Sequence, residues 1–210
     1  MIRLVLADDH AIVRSGLRQI AQAEEGITVV GEAADCGELL DVLRKTDADV
    51  VLMDISMPGK SGLEGLKQVR ERWPKIAVLM LSMYPADQYA VRSVKAGAAG
   101  YLHKNSPPEM VIEAIRTVAR GKKYITPELA EQLATHLSQG DERPPHELLS
   151  DREYQTMVMI ASGRTLTQIA EEVSLSPKTV SVYRARLLEK MKLKNNAELT
   201  HYALKHKLVE

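Results

Sequence analysis

The sequence contains a single cysteine, Cys36, so neither an intramolecular disulfide nor a cysteine-rich zinc site can form. It has no excess of one charge, because 28 basic side chains balance 28 acidic ones, and this excludes a protein that is polybasic or acidic overall. No apolar run approaches the roughly 20 residues of a membrane-spanning helix, and the N-terminus lacks the layout of a signal peptide. We therefore expect a cytoplasmic protein that does not bind membranes.

The length and composition predict two small domains. The 210 residues are 45% hydrophobic and 27% charged, which is typical of globular proteins rather than disordered ones. A stretch rich in turn-forming residues, 138–146, has the composition of a linker. We predict a first domain over residues 1–122, a linker with a helix over 123–145, and a second domain over 146–210.

In the first half, short apolar runs alternate with helical patterns. The runs are nearly continuous in Val, Ile, Leu and Met, as expected for strands buried on both faces. Five such strands separated by helices predict an α/β fold, a doubly wound parallel sheet with helices on both faces. The predicted strands are Ile2–Ala7, Ile27–Gly31, Asp49–Met53, Ile76–Leu81 and Gly100–His103.

Polar side chains stand where four of these strands end. In an open parallel sheet such ends meet at one edge, where ligands bind. Three carboxylates held close together repel one another and need a cation, and oxygen ligands suit Mg²⁺. A carboxylate beside Mg²⁺ is a competent nucleophile towards phosphorus and would form an acyl phosphate. The polar residues are Asp8, Asp9, Asp54, Ser82 and Lys104.

Each of these residues, taken alone, could be a strand-end cap or a loop residue. The five together favour a site, since their neighbours on each strand are apolar. His10, beside the acidic pair, is a second candidate metal ligand, but a lone histidine there is more typical of a helix start.

The first half resembles the receiver domain of bacterial two-component response regulators. The resemblance is carried by Asp8-Asp9, Asp54-Ile-Ser-Met-Pro58, Leu81-Ser82, Gly97-Ala-Ala-Gly-Tyr101 and Lys104. It implies the strand order 2-1-3-4-5 and a phosphate acceptor at Asp54. It further implies that Asp8, Asp9, Asp54 and the carbonyl of Ser56 hold Mg²⁺, that Ser82 and Tyr101 form a switch pair, and that Lys104 contacts the phosphate.

The second half has no strand pattern and predicts a helix-turn-helix. Ser150 and Glu153 have the spacing of a capping box, which opens a helix. Thr165 can cap a short second helix, and Ser176 with Pro177 opens a third. Between residues 177 and 207 there are 8 basic and 2 acidic side chains. This local charge suits nucleic acid, although a solvated helix face would explain it equally well.

The helix from Pro177 to Met191 is the candidate recognition helix. Its periodicity predicts a core side with Val180, Arg184, Leu187 and Met191. N-terminal residues on the outer side would reach base edges in a major groove, and later basic residues would contact phosphates. The candidates for reading bases are Lys178, Ser181 and Val182, with Thr179 as a further DNA-binding residue. Those for phosphates are Arg186, Lys190, Lys192 and Lys194; Tyr183 and Arg184 could either pack or contact DNA.

The second half resembles the LuxR-type helix-turn-helix. The matching runs include Leu149-Ser-Asp-Arg-Glu153, Gln168-Ile-Ala170 and Leu175-Ser-Pro-Lys-Thr-Val180. With the receiver-like half, the chain is similar to the NarL/FixJ subfamily of response regulators and to its GacA/UvrY-like branch. The resemblance implies a transcription factor that a sensor histidine kinase phosphorylates and that binds double-stranded DNA as a homodimer.

RNA polymerase is a further candidate partner. The expected protein is not an enzyme, apart from phosphoryl transfer onto its own Asp54 and slow autodephosphorylation. Other interpretations remain open at this point: a phosphate-independent interaction module, a phosphatase or phosphotransferase with an aspartyl nucleophile, and an RNA-binding output.

Overall fold

The computed structural model describes residues 1–83, 86–138, 144–206 and 208–209. The chain divides into two compact units, Met1–Gln132 and Leu133–Glu210, which are described separately. Within the described ranges, no helix has both the length and the apolar character needed to cross a membrane. The predicted linker includes residues 139–143, which lie outside these ranges, and the domain boundaries at 122 and 146 stay predictions.

The first unit is built on a sheet of five parallel strands in the order β2-β1-β3-β4-β5, and both the predicted fold class and the strand order are confirmed. Its strands are β1 (Ile2–Ala7), β2 (Ile27–Ala33), β3 (Val50–Asp54), β4 (Ala77–Ser82) and β5 (Gly100–His103). Its helices are α1 (Ala11–Gln22), α2 (Cys36–Lys45), α3 (Gly62–Arg72), α4 (Ala86–Lys95) and α5 (Pro108–Ala119); α6 (Pro127–Ser138) follows.

The core of this unit lies on both faces of the sheet. On one face, Leu4, Leu6 and Leu52 join a cluster with side chains of α1 and α5. On the other face, the side chain of Val5 lies close to Val42 of α2 beside Gly31. Because consecutive strand residues point to opposite faces, burial on both sides requires the continuous apolar runs seen in the sequence.

The parallel register brings the ends of the strands to one edge of the sheet. Asp54 at the end of β3 pairs with Leu81, and Ser82 at the end of β4 pairs with His103. The backbone N–H of Lys104 donates to the carbonyl of Ser82 at 2.7 Å. This edge therefore carries the residues that the sequence placed there: Asp8, Asp9, Asp54, Ser82 and Lys104.

The second unit is helical in its described part. A short 3-10 helix, Pro145–Leu148, precedes α7 (Asp151–Ala161), α8 (Leu166–Glu172), α9 (Pro177–Met191) and α10 (Asn196–Lys205). Side chains cap the helices as predicted: Ser150 and Thr165 form capping boxes, and Ser176 accepts from the N–H of Thr179. Between α8 and α9, Ser174 has a φ of 51°, which turns the chain sharply enough to form the helix-turn-helix.

The start of α3 approaches the end of β3 closely, and only glycine fits there. The N–H of Gly62 donates to the carbonyl of Ile55 at 2.8 Å. A Cβ atom on Gly62 would lie 2.0 Å from the carbonyl oxygen of Asp54 and 2.8 Å from Cα of Ile55. Both atoms belong to the backbone, so the clash could be relieved only by moving the strand end that carries Asp54.

We therefore predict that Gly62→Ala lowers the free energy of unfolding by about 3 kcal/mol, the upper part of the range for overpacked sites. Gly16→Ala is the matched control, because Gly16 lies within α1 and nothing comes within 4 Å of a Cβ there. The control should be unchanged or more stable by up to about 1 kcal/mol. Urea denaturation of the full chain measures both, and equal stability of Gly62→Ala and the wild type would contradict the close approach.

Candidate functional site

Three carboxylates meet at the carboxyl edge of the sheet. Asp8 and Asp54 are each only 1% exposed, whereas the side chain of Asp9 is 25% exposed. Each aspartate has one oxygen in a group that also includes His10 Nδ1, and these four atoms lie within 4.8 Å of one another. The structure thus brings together the three aspartates that the sequence proposed as one site.

Lys104 lies between two of these carboxylates. Its Nζ is 2.8 Å from Asp8 Oδ2 and 2.9 Å from Asp54 Oδ2, and its side chain is 4% exposed. One ammonium group therefore forms ion pairs with two buried aspartates at once. Since a buried charge without a partner is strongly destabilising, Lys104 supplies the ion-pair partner that both buried side chains need.

The balance of charges is reflected in the pKa values. Burial raises the pKa of Asp54 to about 6, and the nearby charge of Asp8 also raises it, while Lys104 and the backbone of Ser56 lower it. Burial opposes the charge of Lys104, but Asp54 and Asp8 outweigh it and hold the pKa of Lys104 above its ordinary value. The site thus combines an ammonium group that stays charged with a carboxyl group whose pKa of about 6 lies close to neutral pH.

The donor set fits a hard divalent cation. Asp54 Oδ1 is buried and has no hydrogen-bond partner among the described residues, so it is available as a ligand. Carboxylate oxygens from three residues, with one partly exposed side where water can enter, match the oxygen-rich shell of Mg²⁺. Ser56, two residues beyond Asp54, is half-buried, and the role of its carbonyl stays a prediction.

The structure places the proposed switch residues inside the unit. Ser82 is 1% exposed and Tyr101 is 3% exposed, and Tyr101 on β5 pairs with Met80 of β4. The ring therefore packs inward rather than projecting from the surface. An inward ring is one of the two positions that a switch residue would need.

Two residues near the acidic centre, His10 and Arg14, make contacts that the sequence did not predict. His10 is the N-cap residue of α1, in keeping with a helix start, but its Nδ1 also lies 2.8 Å from Asp9 Oδ1. Arg14 donates to the backbone carbonyl of Asp8 and, through Nε, to Glu32 Oε2 at 3.2 Å. These contacts fix α1 against the acidic edge. Only the position of Arg14 one turn after His10 hints at them in the sequence.

The outer side of α9 is the second candidate site. Val180, Leu187 and Met191 are buried as predicted, and Leu188 is buried as well. Thr179 and Tyr183 are half-buried, and the Thr179 hydroxyl lies 2.8 Å from that of Ser176. The exposed candidates for DNA contact are Lys178, Ser181, Val182, Arg186, Lys190, Lys192 and Lys194.

Two basic residues of α9 already have partners within the unit. Arg184 Nε donates to Asn196 Oδ1 at 2.6 Å, so its head contacts an amide at the start of α10. Lys190 Nζ lies 2.6 Å from Oε2 of Glu153, a buried carboxylate on α7. Burial opposes the charge of Glu153, but hydrogen bonds from Lys190 and Ser150 outweigh it and lower the pKa of Glu153. The contact of Lys190 with DNA phosphates stays a prediction, whereas its contact with Glu153 stabilises the unit.

Two families of known proteins match the chain. Residues 4–116 match the family described as "Response regulator receiver domain". Residues 147–203 match the family described as "Bacterial regulatory proteins, luxR family".

The chain is similar to whole proteins with this combination. It is 41% identical over 210 residues to "Response regulator UvrY" of Escherichia coli K12, covering 99% of this chain and 96% of that protein. It is 40% identical over 212 residues to "Response regulator GacA" of Pseudomonas aeruginosa, covering 100% and 99%. Among solved structures, it is similar to RcsB from Salmonella enterica serovar Typhimurium bound to promoter P1flhDC with the phosphomimetic BeF3-. The TM-score is 0.66 at 26% identity, over 96% of this chain and 97% of the other.

The pKa of Asp54 predicts how stability changes with pH in the absence of metal. The unfolded carboxyl has a pKa of 3.8 and the folded one a pKa of about 6, so the folded state binds this proton more tightly. The free energy of unfolding should fall as the pH rises from about 4 to about 6, by on the order of 2–3 kcal/mol. Asp54→Asn should lack this fall.

Urea denaturation in EDTA at several pH values measures the difference between the wild type and Asp54→Asn. Asp47→Asn is the control, because the Asp47 side chain is 89% exposed and its loss should leave the profile unchanged. Parallel profiles for the wild type and Asp54→Asn would contradict the raised pKa.

The buried carboxylate of Glu153 predicts that Lys190→Met destabilises the second unit. The substitution removes an ion-pair partner from a buried group, and the expected loss is about 1–3 kcal/mol. Arg186→Met is the matched control, since Arg186 is exposed on the same helix, and it should change stability by less than about 0.5 kcal/mol. Thermal unfolding of the full chain measures both, and equal effects of the two substitutions would contradict a structural role for Lys190.

Proposed function

This chain belongs to the response regulators that join a receiver domain to a LuxR-type DNA-binding domain, and we propose that phosphorylation of Asp54 controls its binding to DNA. The resemblance predicted from the sequence, including the likeness to UvrY and GacA, is confirmed. The chain is thus a two-component regulator of transcription. We further propose which residues take up the phosphoryl group and which contact DNA.

The observation that carries the proposal is the position of Asp54 between a fixed cation and a potential metal site. Its Oδ2 is 2.9 Å from the Lys104 ammonium, while its Oδ1 has no hydrogen-bond partner among the described residues. The charge at Oδ2 is therefore balanced by Lys104, and Oδ1 is available to react. With a pKa of about 6, the carboxyl is mainly ionised at neutral pH, as a nucleophile must be.

In the proposed transfer, an Asp54 oxygen attacks the phosphorus of a phosphohistidine on a partner kinase. The new bond joins this oxygen to phosphorus, and the bond from phosphorus to the histidine nitrogen breaks, with its electron pair staying on nitrogen. Mg²⁺ held by Asp8, Asp9 and Asp54 would neutralise charge on the phosphoryl oxygens. Lys104 then exchanges its contact with a carboxylate for one with the phosphoryl group. Positioning and charge neutralisation account for most of the catalysis in such transfers.

The added phosphoryl group also supplies the switch. It brings a charge of roughly −1.5 to −2 and new acceptor oxygens to an edge where Ser82 and Lys104 are adjacent. Movement of Ser82 towards these oxygens opens space beside β4, and the ring of Tyr101 turns into it. Both side chains are buried in the structure, so the ring already occupies the inward position that this movement would favour.

The output is DNA binding through α9. Lys178, Ser181 and Val182 lie exposed at its N-terminal end, the part of a recognition helix that reaches base edges. Arg186, Lys190, Lys192 and Lys194 are proposed to contact phosphates, and Thr179, Tyr183 and Arg184 to make further contacts with DNA. One small helix reads few bases, so specific binding requires a dimer on two half-sites. A sensor histidine kinase supplies the phosphoryl group, and RNA polymerase is a further proposed partner.

Incubation of the full chain with acetyl phosphate and Mg²⁺ tests the phosphate acceptor. The intact mass of the wild type and of Asp47→Asn should rise by one phosphoryl group, through an acid-stable, alkali-labile bond. The mass of Asp54→Asn should not change, because the amide cannot form the acyl phosphate.

The same preparations test the output by fluorescence anisotropy on DNA fragments enriched from the genome by the wild type. Phosphorylation should tighten binding of the wild type by about tenfold, which corresponds to 1.4 kcal/mol, and should leave Asp54→Asn unaffected. An unmodified wild type, or equal uptake of phosphate by Asp54→Asn, would refute the assignment of Asp54.

A further inference from the structure

A cavity of about 490 Å³ lies at the edge of the sheet opposite the acidic centre. It is formed where the strands of the first unit begin: beside Arg3 at the start of β1, Asp49 just before β3, and Ala77 at the start of β4. The turns after α3, α4 and α5 complete its wall. Its volume lies within the range of small-molecule sites in proteins, about 300–1,000 Å³.

The cavity exists because small residues line it. Four alanines and two glycines contribute to its wall, in a unit whose core otherwise consists of larger aliphatic side chains. They provide an apolar surface, with the buried side chain of Val118 behind them. The small residues are Ala48, Ala77, Gly97, Ala99, Ala119 and Gly121.

The charged residues of the wall are almost all basic. Arg3 is neutralised, because it forms ion pairs with Asp49 at 2.8 Å and with Asp47 at 3.2 Å. Among the described residues, Asp49 is the only acidic one that lines the cavity. Four more cations line it, and none of them has a carboxylate partner in the described part of the chain: Arg70, Lys75, Lys122 and Lys123.

Two of the four cations are held in position by the backbone. Arg70 Nη1 donates to the carbonyls of Pro74 and Ile76, at 2.7 and 3.1 Å, and Lys123 Nζ donates to the carbonyl of Ala98. The next residue, Tyr124, pairs with β5 through its N–H to Ala99, at 2.8 Å. Burial lowers the pKa of Lys123, and the charge of Arg70 lowers it further. The positive charges are thus fixed close enough to repel one another, which an anion would relieve.

We propose that this cavity binds a small molecule with two or more phosphate groups on an apolar body, such as a nucleoside diphosphate. Clustered phosphates match four unpaired cations, because charge-assisted hydrogen bonds from Arg and Lys to phosphate are strong. The half-buried alanines offer an apolar surface for the base. This is a second site, at the other end of the sheet from Asp54, and it does not depend on phosphorylation there.

Isothermal titration of the full chain with ADP in EDTA tests the proposal, since EDTA removes any metal from the acidic centre. One ADP should bind per chain, and affinity should fall as salt rises. Pyrophosphate should bind more weakly than ADP, since it lacks the apolar body, and adenosine more weakly still. Anionic phosphatidylglycerol vesicles form a separate arm, because a lipid headgroup also carries phosphate.

The variants reverse charges on exposed side chains at the rim of the cavity, so we expect them to leave folding unaffected. Lys75 and Lys122 are exposed and donate no hydrogen bond to the rest of the described chain, so the double variant Lys75→Glu/Lys122→Glu keeps the contacts of Arg70 and Lys123. It should weaken ADP binding at least about tenfold. Two variants serve as controls. Lys45→Glu reverses one charge at an exposed position of α2, and Asp54→Asn alters the acidic centre. Both should bind ADP as the wild type does.

Several results would overturn the proposal. The first is the absence of saturable ADP binding at millimolar concentration. The second is a loss of ADP affinity in Lys45→Glu that equals the loss in the double variant. The third is equal affinity for pyrophosphate and ADP. Loss of ADP binding in Asp54→Asn would move the ligand to the acidic centre. If binding to the vesicles depends on Lys75 and Lys122 and ADP does not displace it, the cavity binds a lipid headgroup instead.

Discussion

The first unit depends on one ammonium group that holds two buried carboxylates together. Lys104 reaches Asp8 and Asp54 at hydrogen-bonding distances, yet neither aspartate is more than 1% exposed. Without that charge, burial and the repulsion from Asp8 would raise the pKa of Asp54 further. The same ammonium keeps one oxygen of Asp54 occupied while the other stays available. Stability and reactivity at this edge therefore have a common electrostatic origin.

The sheet determines where that charge balance can form. Parallel strands with a regular register end together, so residues from β1, β3, β4 and β5 meet although they lie far apart in the chain. The same geometry leaves the opposite edge with the end of α3, which carries Arg70, and with the turns that carry Lys75, Lys122 and Lys123. One end of the sheet thus gathers carboxylates and the other gathers cations, although the chain as a whole is neutral.

Features with local signals were predictable from the sequence. The strands follow from continuous apolar runs, and the helix starts follow from Ser150, Thr165 and Ser176, whose capping contacts involve residues three positions away. Contacts between distant segments were not predictable. Lys190 looked like a phosphate ligand by charge and periodicity, and only the fold reveals its contact with Glu153, 37 residues away. The basic cavity was not predictable for the same reason, since its cations come from α3 and from the segments after α3 and α5.

Glu153 has a wider consequence for how the second unit moves. Its carboxylate accepts the N–H of Ser150 at the start of α7 and also binds Lys190 near the end of α9. The first turn of one helix and the last turn of another thus share a single acceptor, so fraying of either would weaken the other. We expect the amide protons of these two turns to exchange with solvent as one cooperative unit. The position of the last turn of α9 is in this way tied to the integrity of a neighbouring helix end.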